Sequence, residues 1–326
     1  MIVSMKPPYE ITSRIFHFIS SISLKLGEVN ANYLQRQSPQ LRKQNKIKTV
    51  HSSLQMEGNT LTVDQVSAIL ENKRVIGPQK DILEVMNALK VYDSLNSFNP
   101  YSNKSYLQAH EALMKGLVEK PGVYRKQGVG IVKGEKLAHV APPFENVPFL
   151  MRDLFDYLKK GDDMMLIKSC VFHYEMEFIH PFIDGNGRMG RLWQTLLLSR
   201  EFPVFETLPL ETLIHATQEA YYQALSASDK TGMSTPFIEY MLEVIDQALA
   251  NLLQYSNRTM TDIHRLEYFI QINKSEFSRK DYMYVFKDIS TATASRDLVK
   301  GTELNLIQKI GDKNKTRYRM LNKNNE

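Results

Sequence analysis

The sequence predicts a mainly α-helical protein with one β-hairpin between helices and a C-terminal unit that ends in two short strands. Apolar residues recur at helical spacing along most of the 326 residues. One segment near residue 130 alternates β-forming residues instead, and Pro, Gly, Asn or Asp mark the short connections. We therefore expect an orthogonal or bundled helical domain with two small β additions.

The composition is that of an ordinary globular chain. Hydrophobic residues make up 43% and charged residues 24%, and Cys170 is the single cysteine. A lone cysteine excludes a disulfide framework and a cysteine-cluster zinc site. No apolar run approaches the ~20 residues that a membrane span needs, and the N-terminus lacks the pattern of a signal peptide. These features predict a cytoplasmic protein without membrane contact.

Ten amphipathic stretches before residue 256 predict helices, which short polar connections separate. Pro100 follows the stretch that begins near residue 81 and is expected to end it. The stretches lie near residues 14–26, 41–55, 64–71, 81–98, 106–118, 148–159, 164–178, 188–200, 210–227 and 235–255.

A β-hairpin is predicted where the run from Val123 to Ala141 alternates β-forming residues around Lys133-Gly134-Glu135-Lys136. A lone hairpin is marginal in water, so it must lie on the helices and leave one edge available. Such an edge can bind an extended peptide by strand addition; a purely structural excursion is the alternative.

The segment 258–326 predicts a separate C-terminal domain. Helices near residues 263–272, after Ser278 and after Ser290 precede two β-type runs, which is the winged-helix plan. Ser290 or Thr291 would cap the last helix. The segment holds 14 basic and 9 acidic side chains, the whole net charge of +5. DNA contact and protein contact both remain open, and the basic residues that could face phosphates are Arg296, Lys300, Arg317 and Arg319.

The most informative stretch is His180-Pro-Phe-Ile-Asp-Gly-Asn-Gly-Arg-Met-Gly-Arg191, which joins two predicted helices. Pro181 disfavours helical geometry at His180 and is expected to end the first helix there. The glycines of the loop tolerate positive φ, so backbone N–H groups can curl inward. The N-terminus of the second helix adds further donors and a positive dipole end, which together form an anion cradle.

Charged residues around this loop predict a site for a magnesium nucleotide. Arg188 and Arg191 are three residues apart on one helix face and could reach the same anion. Asp184 is a candidate Mg²⁺ ligand, and His180 is a candidate general base. Each of these residues alone is more often structural; their joint occurrence favours nucleotidyl or phosphoryl transfer.

This stretch resembles the signature of Fic-domain proteins, and every fixed position of that signature matches. The resemblance extends to Gly122-Val-Tyr-Arg125, which is similar to the lead-in of the family's target-binding flap, and to Pro142-Pro143 and Val147-Pro148 after it. It covers most of residues 50–255. It implies an N-terminal helical region at 1–100, a Fic core at 101–257 and the winged-helix domain at 258–326.

The resemblance implies transfer of AMP from ATP, with Mg²⁺, to a Ser, Thr or Tyr hydroxyl of a target protein. By position, His180 would deprotonate the hydroxyl and Asp184 would hold the metal. The flap residues implied to bind the target are Ile131, Ala138, His139 and Val140. The residues implied to bind the nucleotide are Asp184, Gly185, Asn186, Gly187, Arg188, Met189, Gly190 and Arg191, with Tyr221 and Tyr222 on the adenine side.

An inhibitory motif at 53–58 is also implied, because Ser53-Leu-Gln-Met-Glu57-Gly58 fits the family's [Ser/Thr]-x-x-x-Glu-[Gly/Asn] pattern. A carboxylate at Glu57 paired with Arg191 would remove the cation that should receive the γ-phosphate. The alternative is that Glu57 only accepts helix-cap hydrogen bonds.

Other functions remain open at this point. The same residues could remove AMP from a modified protein, with Glu57 orienting a water. The chain could instead be a DNA-binding regulator whose core senses nucleotide. His173, Glu177 and His180 have the spacing of a zinc hydrolase site on one helix face, although the core reading of His173 is simpler. A homodimer is plausible for such a helical protein.

Overall fold

Helices form most of the chain in the computed structural model, which describes residues 6–32, 39–133, 136–256, 262–272, 276–286, 289–311 and 316–321. The prediction of a mainly α-helical fold is confirmed. The helices are α1 (Ser13–Asn32), α2 (Pro39–Gln55), α3 (Val63–Leu70), α4 (Gln79–Asp93), α5 (Asn103–Met114), α6 (Val147–Lys160), α7 (Met165–Ile179), α8 (Asn186–Glu201), α9 (Leu210–Ala216), α10 (Gln218–Thr231), α11 (Thr235–Ser256), α12 (Asp262–Ile272), α13 (Arg279–Val285) and α14 (Thr291–Glu303). The strands are β1 (Gly130–Lys133), β2 (Lys136–Val140), β3 (Ile307–Ile310) and β4 (Arg317–Met320).

The chain divides into two compact units. The first contains Met1–Asn30 and Asn45–Ala250, and the second contains Ala31–Gln44 and Asn251–Glu326. Each has its own buried apolar residues. The predicted boundary at residue 258 lies close to the start of the long segment of the second unit, while the predicted division near residue 100 stays a prediction.

The core of the first unit lies around α7 and α8, where aromatic rings pack edge to face. Trp193 on α8 is fully buried, and its ring lies 5.0 Å from that of Tyr106 on α5. Tyr106 also packs against Phe172 on α7 and Phe155 on α6, with ring centroids 6.1 and 5.6 Å away. The indole N–H of Trp193 donates to the Pro100 carbonyl at 3.0 Å. These contacts fix the helix pair that the candidate loop joins.

The stretch predicted as one helix at 210–227 is two helices, because the chain breaks at Thr217. The Thr217 hydroxyl donates to the Leu213 carbonyl at 2.8 Å and lies 2.8 Å from the Tyr240 hydroxyl. A hydroxyl that bonds back onto its own helix competes with the backbone ladder and bends the helix. The two parts are α9 and α10, with Thr217 between them.

The predicted hairpin is confirmed as the antiparallel pair β1–β2. Gly130 pairs with Val140 and Ile131 with His139, and the register then shifts so that Val132 pairs with Leu137. The shift leaves Ala138 as a bulge residue on β2, and bulges twist a strand locally. The turn residues 134–135 and the side chains of the hairpin lie outside the described residues.

The second unit has the element order that the sequence predicted: α12, α13 and α14, then the antiparallel pair β3–β4. Ser290 caps α14, as expected, by accepting from the Thr293 N–H. The core of this unit contains Leu266, Phe269, Tyr282 and Leu298 among others. Its classification as a winged helix stays a prediction.

Among the residues that the structure describes, no helix combines the length and the apolar character that a bilayer crossing requires.

Candidate functional site

The helix α7 ends at Ile179, and the chain turns at His180 in a left-handed conformation with φ 49° and ψ 62°. The predicted end of the helix at His180, before Pro181, is confirmed. A positive φ is uncommon for a residue with a side chain and requires surrounding contacts that hold it. Arg125 supplies such contacts.

Arg125 clamps the backbone of this turn. Its Nε donates to the His180 carbonyl at 2.8 Å and its Nη2 donates to the Ile179 carbonyl at 3.3 Å. Its own backbone N–H donates to the Pro181 carbonyl at 2.9 Å, and the guanidinium also bonds the carbonyls of Gln127 and Pro142 on either side of the hairpin. Burial lowers the pKa of Arg125. One buried cation therefore ties the base of the hairpin to the turn at His180.

The loop after Pro181 is closed by Asn186, which is buried. Its side-chain carbonyl accepts from the Phe182 N–H, and its side-chain amide donates to the Phe182 carbonyl, both at 2.9 Å. Gly185 has φ 88°, and a Cβ there would lie 2.7 Å from the Met114 sulfur. The glycine is thus required both by the backbone and by the close approach of α5.

His110 on α5 supports the loop from inside. Its ring lies 3.5 Å from the Phe182 ring, nearly parallel to it, and its Nε2 lies 3.0 Å from the Asp184 carbonyl. The Gly122 N–H donates to Nδ1 at 2.8 Å. Because Nδ1 accepts, the proton lies on Nε2, and the ring is neutral. Burial, opposed in part by the Asp184 carbonyl, lowers the pKa of His110 to about 4.

Arg188 is held between two carboxylates at the start of α8. Its Nη2 donates to Asp184 Oδ1 at 2.7 Å, and its Nη1 donates to Glu84 Oε1 at 3.1 Å. The side chain is 4% exposed. Arg188 Nε is buried and has no hydrogen-bond partner among the described residues. A donor left open in this way fits an absent ligand or water next to the loop.

Asp184 is suited to hold Mg²⁺. Its Oδ1 accepts from Arg188 and from the Gly185 N–H at 2.6 Å. Its Oδ2 takes part in no hydrogen bond within the described part of the chain, and the side chain is 43% exposed. Mg²⁺ keeps most of its waters and takes one or two protein carboxylates together with phosphates of the substrate. One half-exposed carboxylate therefore fits this ion.

Arg191 binds the end of α2 and not open solvent. Its Nη2 donates to Glu57 Oε1 at 2.7 Å and to the Ser53 carbonyl at 2.9 Å, and its Nε donates to Ser53 Oγ at 2.9 Å. The side chain is 1% exposed. Burial disfavours the charge of Arg191, but the acidic groups around it, Glu57 first among them, together outweigh burial, so the pKa of Arg191 is raised.

Glu57 also lies against the first turn of α8. A Cβ placed on Gly187 would be 2.5 Å from Glu57 Oε1. Gly58, the next residue, has φ 88°, which ends the α2 segment in a left-handed turn. The carboxylate thus occupies the positive end of the helix that follows the loop. The expectation that Arg188 and Arg191 share one anion differs from this arrangement, because each arginine has its own carboxylate partner.

Several residues expected to bind nucleotide lie in the core instead. Met189 is fully buried. A Cβ on Gly190 would lie 2.7 Å from Cδ2 of His173 and 2.6 Å from Cε of Met176, so Gly190 is where α8 crosses α7 closely. Tyr221 is 2% exposed. Met189 and Tyr221 are buried side chains, and Gly190, which has no side chain, lies at the contact between α7 and α8.

The two tyrosines expected on the adenine side, Tyr221 and Tyr222, differ in burial. The Tyr221 hydroxyl lies 3.1 Å from His173 Nε2 and 3.5 Å from Glu177 Oε1, and burial raises the pKa of Tyr221 well above its usual range. Tyr222 is half-buried and its hydroxyl accepts from the Gln218 side chain at 3.4 Å. Tyr222 is therefore the more exposed residue of the pair.

The zinc alternative gains no support from His173. Its Nδ1 lies 2.6 Å from Gln194 Oε1 and its Nε2 bonds Tyr221, so both ring nitrogens are used within the core. In the described part of the chain, no group of three His, Cys, Asp or Glu side chains has a metal-binding arrangement. The contacts of His173 are those of a satisfied core histidine.

Three residues of this site were not found from the sequence: His110, Glu84 and, for its clamping role, Arg125. A signal exists for Glu84, because it lies on the same face of α4 as the buried Ala88 and Val91. A charge on the buried face of a helix requires a buried partner. Nothing in the sequence identifies that partner as Arg188, which is 104 residues away.

Comparisons with known proteins agree with the motif. Residues 100–198 match the family model described as Fic/DOC family. A protein from Nematostella vectensis named Protein adenylyltransferase Fic is 28% identical over 240 residues, which are 66% of this chain and 52% of that protein. Protein adenylyltransferase fic-1 from Caenorhabditis briggsae is 30% identical over 59% of this chain and 38% of its own length. The chain thus spans about half, or less, of these curated relatives.

Solved structures share the fold along almost the whole chain. The crystal structure of a Fic family protein from Desulfovibrio desulfuricans G20 has a TM-score of 0.75 and 38% identity, over 99% of this chain and 100% of that one. A Fic-1 fragment from C. elegans has a TM-score of 0.63 at 24% identity and covers 74% of this chain. The likeness therefore includes both units and not only the loop.

Proposed function

The chain belongs to the Fic/DOC family, and from this premise we propose that it is a protein adenylyltransferase. It would transfer AMP from ATP to a hydroxyl of a target protein and release pyrophosphate. The observation that supports this most is the closed loop between α7 and α8, which puts Asp184 and Arg188 in contact directly after His180. The relatives from Nematostella and Caenorhabditis carry the same activity in their names.

The chemistry follows from the residues around the loop. His180 would take the proton of the target hydroxyl as the oxygen attacks the α-phosphorus of ATP. The bond from the α-phosphorus to the bridging oxygen breaks, and pyrophosphate leaves. The N–H groups of the first turn of α8 and Arg188 would stabilise the charge that develops on the phosphate oxygens. Magnesium, when Asp184 holds it, would neutralise phosphate charge.

The hydrogen bonds of Arg125 would fix the position of His180 relative to the hairpin. A general base must lie within hydrogen-bond reach of the proton that it takes, and His180 is held through its own carbonyl. The same guanidinium bonds the Gln127 and Pro142 carbonyls on both sides of the hairpin. A target segment paired with a strand of that hairpin would therefore be held in register with His180.

We propose that Glu57 restrains the activity in the unbound protein. In the pair that it forms with Arg191 the guanidinium is buried, the Glu57 side chain is 28% exposed, and the Glu57 carboxylate lies on the first turn of α8. Phosphates of ATP would have to compete with this carboxylate for the same cation and the same helix end. ATP bound in spite of Glu57 would leave its α-phosphate out of line with the attacking hydroxyl.

The second unit is proposed to be a winged-helix domain that contacts a partner. Arg279 and Arg296 are exposed, and the hydrogen bonds described for them go to the hydroxyls of Ser295 and Thr293. Because hydroxyls leave the positive charge uncompensated, these arginines favour an anionic partner, either DNA or an acidic protein surface.

Label transfer from α-phosphate-labelled ATP tests the proposed function. With Mg²⁺ and a cell lysate, the Glu57→Gly protein is expected to transfer about 10- to 100-fold more label than the unchanged protein, since one charge-assisted contact no longer opposes ATP. His180→Ala in the Glu57→Gly background is expected to lose at least ~100-fold of that activity. Glu71→Gly, which removes an exposed glutamate at the end of α3, is the matched control and should change nothing.

Equal label in the unchanged and Glu57→Gly proteins would contradict the restraint. No label in any variant, with ATP binding retained, would contradict forward transfer and favour removal of AMP, another donor or nucleotide sensing. A pre-modified target that loses its label only when Glu57 is present would identify the reverse reaction.

A further inference from the structure

One buried carboxylate on α4 joins two parts of the molecule that the proposed function treats separately. Glu84 Oε1 accepts from Arg188 Nη1 at 3.1 Å, and Glu84 Oε2 accepts from Asn59 Nδ2 at 2.8 Å. The side chain is 6% exposed. Arg188 belongs to the loop helix, and Asn59 follows Glu57 by two residues. Glu84 therefore contacts both the nucleotide side of the site and the segment proposed to restrain it.

Asn59 fixes the turn that follows Glu57. Its side-chain amide donates to the Asp81 carbonyl at 3.1 Å as well as to Glu84, and its side-chain carbonyl accepts from the Leu61 N–H. Asn59 is buried, so all of these bonds are made away from bulk water. The first turns of α4 therefore set the position of this turn. They also set how close the Glu57 carboxylate comes to Arg191.

Arg188 depends on Glu84 for its orientation. The guanidinium is planar, and two contacts at Nη1 and Nη2 fix the plane. Asp184, at Nη2, is half-exposed and is proposed to coordinate Mg²⁺ when the nucleotide binds. Glu84, at Nη1, is buried and has no such alternative, apart from exposed Lys80 at 4.0 Å. Arg188 Nε is buried and, in the part of the chain that the structure describes, has no hydrogen-bond partner.

We propose that Glu84 is a positioning residue that orients Arg188 for the nucleotide and, through Asn59, holds the Glu57 segment in its restraining place. This inference rests on the proposed function, whose regulation it deepens. It makes one side chain responsible for two properties that oppose each other: competence to bind ATP and restraint of transfer. The two can be separated, because only one of them passes through Asn59.

Asn59→Ala tests the restraining branch. In the chain with Glu57, it should raise label transfer by about tenfold, the effect of one bond to a charged buried group. In the Glu57→Gly background, the same change should have no effect, because nothing remains to be restrained. Thr60→Val, which removes an exposed bond from the next residue to Asp81, is the matched control for general loosening of the turn.

Glu84→Gln tests the orienting branch. In the Glu57→Gly background, it should raise the Kd for ATP by about tenfold and lower kcat/KM by at least about tenfold, because Arg188, which is proposed to contact the phosphates before and during transfer, loses an orienting contact. Lys80→Ala removes the exposed cation nearest to Glu84 and should leave both constants unchanged. Glu84→Asp keeps the charge but is one methylene shorter and should recover part of the affinity.

Amide hydrogen exchange provides a readout that needs no nucleotide. Glu84→Gln should accelerate exchange in both 56–61 and 185–191, and Asn59→Ala in 56–61 alone, with the remaining amides of the first unit unchanged. Faster exchange across the whole unit would mean a general loss of stability and would overturn the proposal. So would equal label increases by Asn59→Ala in both Glu57 backgrounds. Failure of the proposed function, by contrast, would be seen as no label with Glu57→Gly while the exchange pattern persists.

Discussion

His110 is a buried residue whose protonation state affects the loop directly. It accepts the Gly122 N–H at Nδ1 and faces the Asp184 carbonyl with Nε2. An imidazolium would place a second proton against the Gly122 N–H, and it would add a positive charge beside Arg188 in a buried place. The ring is therefore neutral while the loop is intact, and its pKa is lowered to about 4.

Acid should weaken the loop through His110. Because its folded-state pKa lies below the ordinary value near 6.5, its contribution is fully present above pH 6.5 and is lost as the pH falls toward 4. The shift corresponds to roughly 3 kcal/mol at most. Urea unfolding at pH 7 and pH 4.5 should show a steeper loss in the free energy of unfolding for the unchanged protein than for His110→Gln. His17→Gln, at an exposed histidine, should keep the full slope; an equal slope in all three would contradict this role.

At the scale of single residues, the residues of the motif could be predicted, and the family pattern also implied the pair between Glu57 and Arg191, but the partner of Arg188 could not be predicted. The spacing from His180 to Arg191 predicted a loop, a base and an anion site. It also suggested that Arg188 and Arg191 act together, whereas Glu84 and Glu57 hold them apart. Glu84 lies 104 residues before Arg188, and no local pattern encodes that pairing.

The helix pair α7–α8 depends on a close approach at Gly190. A Cβ there would meet Met176, His173 and Glu177 at 2.6 to 2.9 Å. The absence of a side chain lets the two helix backbones come together below the loop, and this distance decides how the loop between them is spanned. Gly190 therefore acts on the site through packing and not through contact with a ligand.

Gly190→Ala should destabilise the first unit by about 1–3 kcal/mol, because the methyl group has no room between the helices. Gly27→Ala on α1 is the matched control: no atom lies within 4 Å of its added Cβ. In a helix interior alanine is favoured over glycine by about 1 kcal/mol, so that control should be neutral or slightly stabilising. Thermal unfolding of both variants measures the difference, and a stabilised Gly190→Ala protein would refute the packing argument.

Helices and strands could be predicted from the sequence where the apolar periodicity is strong. They could not be predicted where a single side chain determines the end of an element. The hairpin and most helices follow from alternation and amphipathic spacing. The break at Thr217 does not, because its cause is a hydroxyl bonded to the Leu213 carbonyl and near Tyr240. The bulge at Ala138 likewise depends on pairing that the strand sequences leave undetermined.

On the scale of the whole molecule, each compact unit contains buried charged side chains that pair with partners in the same unit. In the second unit, Asp297 is 1% exposed and accepts from Arg265 Nε and Nη2 at 2.6 and 2.9 Å, and from the Tyr282 hydroxyl at 3.1 Å. This cluster joins α12, α13 and α14 through one carboxylate. The sequence gives no hint of it beyond an aspartate on an amphipathic helix.

Asp297→Ala should destabilise the second unit by about 3 kcal/mol, because Arg265 is left as a mostly buried charge without its partner. Hydrogen exchange should accelerate in α12–α14, while the amides of α7 and α8 keep their rates. Arg296→Ala, one residue earlier and exposed, is the control and should change neither. Equal acceleration in both units would contradict their independence.

The clamp at Arg125 has a consequence for how the motif can be used. The conformation of His180 is imposed by the guanidinium of Arg125, 55 residues earlier in the chain. A peptide that contains only residues 180–191 therefore has the sequence of the motif without its conformation. Grafting this segment between two helices of a foreign scaffold would transfer His180, Asp184 and the two arginines. It would not transfer the left-handed turn at His180 that orients them. The smallest portable form of this site is therefore the set of α4, α5, the hairpin, α7 and α8, and not the twelve-residue sequence by which it is recognised.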